Sequence, residues 1–509
     1  VKGLVVAVLG LTCSCATQRP LVRWGERTET WCVTGAFVFD GVSRQGPMDV
    51  FVRGEVVDAV TPTTGPQPTC LDGRGKTLTP GLIDAHVHLG LSAGHAPWDL
   101  RVPDLRQQLD GLLYAGVTTA LDAAASKGLD EVLAQEGPFA RLVRASRIIT
   151  AEGGHPGPMI RAGAPWPIAD VMLAPMLAQV PNDTTDVGAV LSSVLATKPD
   201  VVKVVYDDMP PGSPHLSHAA LVGILSAAKA RGVRVVVHVG SATEAIEAAE
   251  AGATLLMHTP WETVLTEDEV RRLAATKVPI VTTRRVHGAL TEVLEQRVSL
   301  HALEREVRPD VEPAIHHRPE GFAMRGLDAS QEHALARYDA NLRENVRRLH
   351  EAGVVLVAGT DSGLPNVIHG AALHRELQAL VASGFTPAEA LASATSIAAK
   401  VLLPGEHVGV IEPGARADLL LVEGDPLQDI NALEHIVGVW RAGSSIRRHA
   451  NTATSQTSTP NQHQLHTRLA LLNEFARWQA NSDRTLRPQP PRSTRTSSPN
   501  IDGIGKLQQ

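Results

Sequence analysis

The sequence predicts an α/β protein: a (β/α)8 TIM-type barrel with a small β-sandwich domain assembled from the two ends of the chain. Three observations lead there. From residue 81 onward, short apolar runs alternate with Ala/Leu-rich amphipathic stretches, with about eight strand-like runs in all. Short β-rich segments broken by Gly, Pro and Thr lie before residue 80, and β character returns after 404. The His, Lys and Asp residues able to carry chemistry sit mostly where strand-like runs end, as the mouth of such a barrel requires. The 509 residues exceed one average domain, and they accommodate a barrel of about 250 residues or more plus an accessory domain and tails.

In chain order, residues 1–17 have the pattern of an export signal: Lys2, an apolar run over 3–11, then small residues. That run is too short to span a membrane as a mature helix. Cys13 and Cys15 are candidates for the lipidated cysteine of a bacterial envelope lipoprotein, which would anchor the chain to a membrane. The alternative is a buried N-terminal strand in a cytoplasmic protein. Residues 18–80 form the first part of the small domain, with strands expected over 33–38, 50–52 and 56–60. Cys32 and Cys70 flank this region; they either close a disulfide in an oxidising compartment or stand as two unpaired core cysteines.

The barrel is assigned to 81–403, with strands near 82–88, 117–121, 147–150, 201–206, 233–239, 254–258, 278–282 and 354–360. Helices fit between them, for instance at 103–115, 218–231, 242–251 and 267–275. The long charged stretch 284–349 is either a helical lid over the mouth or an elaborated surface connection. Residues 404–444 supply the second part of the small domain. Residues 445–509, rich in Thr, Ser, Gln, Asn and Pro, are expected to be a mobile tail with a helix-like island at 464–479.

Composition narrows the partners. The net charge is only −7, Lys and Arg are scattered, and aromatics are 3%, so neither a basic nucleic-acid surface nor a stacking platform is indicated. The expected partner is a small molecule or short peptide.

The most informative residues are His86 and His88, at the end of the run Leu82-Ile83-Asp84-Ala85-His86-Val87-His88. Side chains at i and i+2 of a strand share a face, so two imidazoles so spaced reach one cation without an intervening turn. Alone, such a pair is as often a polar strand edge. Further candidate ligands are Lys203, His238 and His258 on later strands, and Asp361 in Gly359-Thr360-Asp361-Ser362. Lys203 lies in an almost unbroken apolar run, where an unpaired ammonium is costly. A buried lysine tends to lose its proton, and the neutral amine can take up carbon dioxide as a carbamate, an anion with two oxygens suited to two cations. The plain alternative is a strand-end lysine paired with Asp207 or Asp208. His238 and His258 could each be hydrogen-bonded only, and Asp361 could be a helix N-cap.

Taken in order, the motif around His86 and His88, the strand Lys203, the strand histidines, Gly359-Thr360-Asp361-Ser362 and Gly414-Ala415-Arg416-Ala417-Asp418-Leu419 resemble the amidohydrolase superfamily of metal-dependent hydrolases. Gly153-Gly154-His155 and Lys203-Val204-Val205-Tyr206 are most similar to its imidazolonepropionase-like group, which includes Xaa-Pro dipeptidases. The resemblance implies that His86 and His88 bind one metal with Asp361, that His238 and His258 bind a second, and that carboxylated Lys203 bridges them. Two divalent cations per chain, in the expected case zinc, would supply hydroxide near neutral pH for cleavage of a C–N amide bond.

Asp361 is then the candidate general base and acid. His155, in a Gly/Pro-rich loop, is the candidate to hydrogen-bond the carbonyl or tetrahedral oxygen; otherwise it is a surface loop residue. The resemblance suggests that Tyr206 binds a substrate carboxylate, and Arg284, Arg285 and His287 are further candidates for an anionic substrate group. Asp207-Asp208 after Tyr206 departs from the small-residue turn of the dipeptidases, which weakens the Xaa-Pro assignment. Two other readings compete: a mononuclear deaminase or cyclic-amide hydrolase of the same fold using His86, His88, His238 and Asp361, and a non-catalytic envelope binding protein.

Overall fold

The computed structural model describes residues 20–449 apart from 27, 66, 92–103, 159–175, 181–185, 210, 296 and 310–328, and for 294 and 329–336 it is confined to the backbone. The expected export segment with Cys13 and Cys15, and the tail from 450 onward, lie outside the described residues. Among those described, no helix is long and apolar enough to cross a membrane.

The two ends of the chain meet in one sheet. Its nine strands include Lys76–Pro80, from the first part of the chain, paired antiparallel with Leu419–Glu423 from the last. On one side of this seam lie Thr30–Phe39, Arg44–Arg53 and Val56–Pro62, and on the other Ile436–Arg441, Ser444–Arg448 and Val22–Trp24. The hydrogen bonding thus runs through a single continuous sheet where the sequence predicted a sandwich. Val33, Val38, Val50, Val52, Leu78, Leu419, Leu421 and Trp440 form its apolar core, and Trp31 stacks on Trp440 with ring centroids 4.7 Å apart.

The sheet also corrects the start of the tail. Ser444–Arg448 is a strand paired on both edges, so residues 445–448 belong to the domain. Only Ile446 of these is apolar and buried, too sparse a pattern to mark a strand in the sequence.

Cys32 and Cys70 are joined in a disulfide across a separation of 38 residues. Closing a loop of that size restricts the unfolded chain by about 4 kcal/mol in the chain-entropy model. Cys32→Ser is therefore expected to lower unfolding free energy by about that amount, read in a denaturant melt. Reductant should affect the wild-type protein similarly and leave the variant unchanged.

Between the two parts of this sheet, parallel strands alternate with helices, the arrangement of a TIM-type fold. Leu82–Val87, Val117–Asp122 and Arg141–Arg144 form one parallel sheet. Leu177–Val180, Ile148–Ala151, Val202–Val205, Val235–His238, Leu255–Met257, Ile280–Val281 and Leu356–Val357 form another. Two isolated parallel bridges, Ala145 to Val201 and Val87 to Ser362, connect their edges.

The strand expected at 147–150 is Ile148–Ala151, and a further strand not read from the sequence, Arg141–Arg144, precedes it in the other sheet. This further strand escapes sequence analysis because its arginines reach outward, Arg141 to Glu406 and Arg144 to Asp130. Only Val143 in it is buried.

Alternation along the central strands sorts their side chains. Val202, Val204, Val235, Val237 and Leu256 pack with the helices, while Val201, Val236, Leu255, Met257, Val281 and Val357 share a second, interior cluster with Ile83, Ala85 and Leu121. The helices start where capping chemistry dictates. Ser241 with Glu244, Thr266 with Glu269 and Thr386 with Glu389 each form a reciprocal capping box ahead of an amphipathic helix. The stretch expected as a lid is helical at Arg284–Leu294, Ala302–Val307 and Ala329–Glu351. The last of these holds the loop after His258, since Asn345 donates to the Pro260 and Thr263 carbonyls and accepts from the Leu265 amide.

Candidate metal centre

His86, His88 and Asp361 converge. Their Nε2, Nε2 and Oδ1 atoms lie 3.1 Å apart for the two histidines, and 3.3 and 3.1 Å from His86 and His88 to the carboxylate. Zinc bonds of roughly 2.0–2.1 Å in a tetrahedral arrangement set neighbouring donors about 3.3 Å apart, so this trio has the spacing of metal ligands. Three backbone features hold it. Asp361 adopts a left-handed φ of +58° and donates its amide to the His86 carbonyl at 2.8 Å. Buried Asp84 accepts from the Thr360 amide and hydroxyl and from the His86 amide, tying the first strand to the Asp361 loop. Gly359 has no side chain because a Cβ there would meet Val281 at 2.4 Å and the His86 backbone at 3.0 Å.

Lys203 and His258 face the same interior. Lys203 is 1% exposed and its Nζ has no hydrogen-bond partner among the described residues. Burial, opposed by Asp361 and Asp207, pushes its amine down to about 8. The alternation that leaves Met257 pointing inward would turn the next residue outward, but His258 has a left-handed φ of +76°. Its ring lies 4.2 Å from that of His238 and 4.8 Å from that of His86. His258 Nδ1 is engaged with Thr283 Oγ1 at 2.7 Å, while Nε2 is buried without a partner. Non-glycine residues held at positive φ cost of order 1–3 kcal/mol each and recur at functional sites.

A second group adjoins the first. His155 Nδ1 lies 2.9 and 3.0 Å from the Asp207 oxygens, and His238 Nε2 lies 2.9 Å from Asp207 Oδ2. Burial and the nearby Lys203 drive His238 down to about 4, against the opposing pull of Asp207. For Asp207 burial acts upward, but His155 and His238 hold it well below the usual carboxylate range. Burial likewise opposes, and the hydrogen bond and charge of His88 with His258 and His238 outweigh it, so that Asp361 too is held low. Burial depresses His86 and His258 strongly, leaving neutral imidazoles, the form that ligates metals.

Lys203 Nζ and His258 Nε2, buried and without hydrogen-bond partners among the described residues, fit a centre that divalent cations complete.

Three expected substrate-binding residues are placed elsewhere. Tyr206, one residue out of step with Lys203 and Val205, sends its hydroxyl to Glu247 Oε2 on an outer helix at 2.5 Å. Arg284 is spent on Asp339, Ser383 and the Ala379 carbonyl. Arg285 is spent on Glu292 and the Asn366 carbonyl. Their role is to fix the helix that follows the seventh strand predicted from the sequence. His287 does remain near the centre, with its ring 4.9 Å from Trp261, and burial pushes it down to about 4 against the pull of Asp361.

Sequence analysis missed Asp207 as a site residue, along with Trp261 and His369. Trp261 is buried against His238 and His258, with centroids 6.0 and 5.5 Å away. His369 Nε2 contacts the His88 carbonyl at 3.2 Å. Beside Trp261, burial pushes Glu262 up to about 7, reinforced by Glu244, Asp208 and Asp207.

The amidohydrolase family model matches residues 77–446, so the chain belongs to the amidohydrolase family. No curated protein matches the sequence. Solved structures with the same fold include a Xaa-Pro dipeptidase with bound methionine in the active site, 22% identical with a TM-score of 0.64 over 82% of this chain and 100% of that one. They also include ochratoxinase from A. niger, 18% identical with a TM-score of 0.61 over 82% and 96%. Molinate hydrolase is 20% identical, with a TM-score of 0.63 over 85% and 99%.

Proposed function

We propose that the protein is a binuclear metal-dependent hydrolase that cleaves a C–N amide bond in a peptide-like or cyclic amide substrate. The observation that carries this reading is buried Lys203, whose Nζ has no hydrogen-bond partner among the described residues and whose charge is felt by His86, His238 and His258, beside the converging trio His86, His88 and Asp361. The two parallel sheets are taken as one closed (β/α)8 barrel, a reading supported by the Ala145 to Val201 and Val87 to Ser362 bridges.

The neutral Lys203 amine would add to carbon dioxide, forming an N–C bond as one C=O bond becomes C–O⁻ and a proton leaves the nitrogen, and the resulting carbamate would serve as an anionic ligand of the cations. When bound, divalent cations supply such a site with acidified water and polarisation of the scissile carbonyl. Asp361, ionised at rest, accepts the proton of the attacking water and passes it to the leaving nitrogen. His155, held by Asp207 through Nδ1, would donate from Nε2 to the carbonyl oxygen as charge develops there when the ring carries a proton on both nitrogens. Trp261 forms an apolar wall over His238 and His258 and limits solvent on that side. With Tyr206, Arg284 and Arg285 engaged elsewhere, recognition of a free carboxylate loses its expected donors, and amides without one become the favoured substrates.

The reading extends to location. The Cys32–Cys70 disulfide supports folding in an oxidising compartment and hence export, with lipidation at Cys13 or Cys15 as the proposed membrane anchor.

The test is elemental analysis of protein produced with zinc and bicarbonate, beside a hydrolysis panel of neutral, cationic and anionic dipeptides and cyclic amides. About two metal equivalents with turnover of an amide is the expected result. One equivalent with deamination would transfer the assignment to a mononuclear centre at His86, His88, His238 and Asp361. Absence of any turnover in metal-loaded protein would favour a binding protein.

A further inference from the structure

Asp207 stands where the sequence departs from the dipeptidase pattern, and strand alternation puts it on the same side as Lys203 and Val205. It is 2% exposed and sits between two imidazoles. Its contacts of 2.9–3.0 Å to His155 Nδ1 and 2.9 Å to His238 Nε2 are the usual lengths of charge-assisted hydrogen bonds. They are shorter than the 3.1–3.3 Å spacing of the His86, His88 and Asp361 donors. Both groups bring donor atoms within reach of one cation, and the contacts around Asp207 also have the lengths of a hydrogen-bonded relay centred on a carboxylate.

A carboxylate only accepts hydrogen bonds, so both rings must donate to it. That fixes a proton on His155 Nδ1 and on His238 Nε2. It leaves His238 Nδ1 as the nitrogen with a lone pair. A ligating histidine gains basicity and a fixed ring orientation when its other nitrogen donates to a carboxylate. The same Asp207 oxygens grip His155, so the two histidines share one anchor.

We propose that Asp207 is the positioning carboxylate of the centre: it selects the His238 tautomer that ligates through Nδ1 and holds His155 in register with it. The metal part of this statement rests on the binuclear reading above, whereas the tautomer part does not. Asp207 is a positioning residue, acting through His238 and His155.

The experiment compares the full-length chain with Asp207→Asn and Asp207→Glu, all metal-free and labelled with 15N at histidine. In the wild type, NMR should find His238 protonated on Nε2 and His155 on Nδ1. The isosteric amide of Asn offers one acceptor and one donor group, so one ring must change its protonated nitrogen. Glu, though larger, accepts only and should retain the wild-type pair. If Asn leaves both tautomers unchanged, or if wild-type His238 carries its proton on Nδ1, the proposal is overturned. If Glu disturbs the rings while Asn does not, the residue is a packing element and the proposal also fails.

Zinc competition against a chelator gives the second readout. Asp207→Asn should weaken one metal equivalent about 10–100-fold and Asp207→Glu much less. A wild-type protein that binds fewer than two equivalents while showing the expected tautomers would overturn the binuclear reading and support the positioning role. Two equivalents with the wrong tautomers would do the reverse.

Discussion

Lys203→Met is expected to abolish amide hydrolysis and, in the same protein, to raise the stability of the metal-free fold. The two effects share one cause. Lys203 is fully enclosed among apolar strand residues, and its ammonium has no hydrogen-bond partner among the described residues. Burial moves the amine from the ordinary 10.5 to about 8, which corresponds to about 3 kcal/mol against the charged form. Below about pH 8 both folded and unfolded chains carry the proton, and the fold bears the full cost. Between about 8 and 10.5 the unfolded chain holds more protons, so metal-free wild type gains stability as pH rises, and above 10.5 the cost is gone.

Methionine removes the charge and roughly keeps the volume. At pH 7, in bicarbonate-free buffer, the variant should be more stable by up to about 3 kcal/mol, with the gap closing toward pH 10.5. With zinc and bicarbonate present the order reverses in function. The variant cannot form the carbamate, should hold less metal, and should lose on the order of 10³-fold or more in kcat/KM, about 4 kcal/mol of transition-state stabilisation. Denaturant melts at two pH values and metal analysis check both halves. A Met variant that keeps full metal content and turnover would show that Lys203 is only a buried strand-end residue.

How far the sequence exposed this centre depends on whether a residue's direction follows from strand alternation. His238 and Lys203 share a face with neighbours in an apolar run, so their inward aim could be read directly. The same reasoning carried two steps beyond Val205 would have found Asp207, and one step beyond it would have excluded Tyr206, whose hydroxyl meets Glu247 on the outer helix. Resemblance to dipeptidases drew attention to Tyr206 instead. His258 was identified as a strand-end histidine, but its inward aim depends on a left-handed backbone that no periodicity encodes. Arg284 and Arg285 looked available because their partners are remote in sequence. Asp339 lies 55 positions from Arg284, and Glu376 accepts both arginine amides from more than 90 positions away. Trp261 was hidden similarly, since the asparagines that hold its loop belong to a helix some 80 residues downstream. Fold class was more accessible, because apolar strands followed by capped amphipathic helices are local patterns. The Arg141–Arg144 strand was obscured by arginines that satisfy themselves at the surface.

Asp361→Asn should retain the fold and remove the chemistry. Asparagine is one of the few residues that tolerates left-handed backbone, so the φ of +58° at this position is preserved without a glycine. The amide bond to the His86 carbonyl at 2.8 Å, and the Asp84 contacts that hold Thr360, involve no atom of the substituted side chain. What is lost is an anion 3.1 Å from His88 Nε2 and 3.3 Å from His86 Nε2, and with it the group able to take a proton from the attacking water. General acid–base participation contributes typically about 10²–10⁴-fold, and loss of a ligand charge adds to it. The expected kcat is therefore reduced by at least about 10³-fold, with KM changed far less because Asp361 is not assigned a binding contact. Removing the anion also removes a favourable partner of Lys203, so its amine should move lower still and carboxylation should persist at neutral pH. Steady-state kinetics, with a thermal melt to verify folding, decide the matter. A folded Asn variant with kcat within a few-fold of wild type would eliminate Asp361 as the proton carrier and return the role to a histidine outside the proposed ligand set, His155 or His287 first.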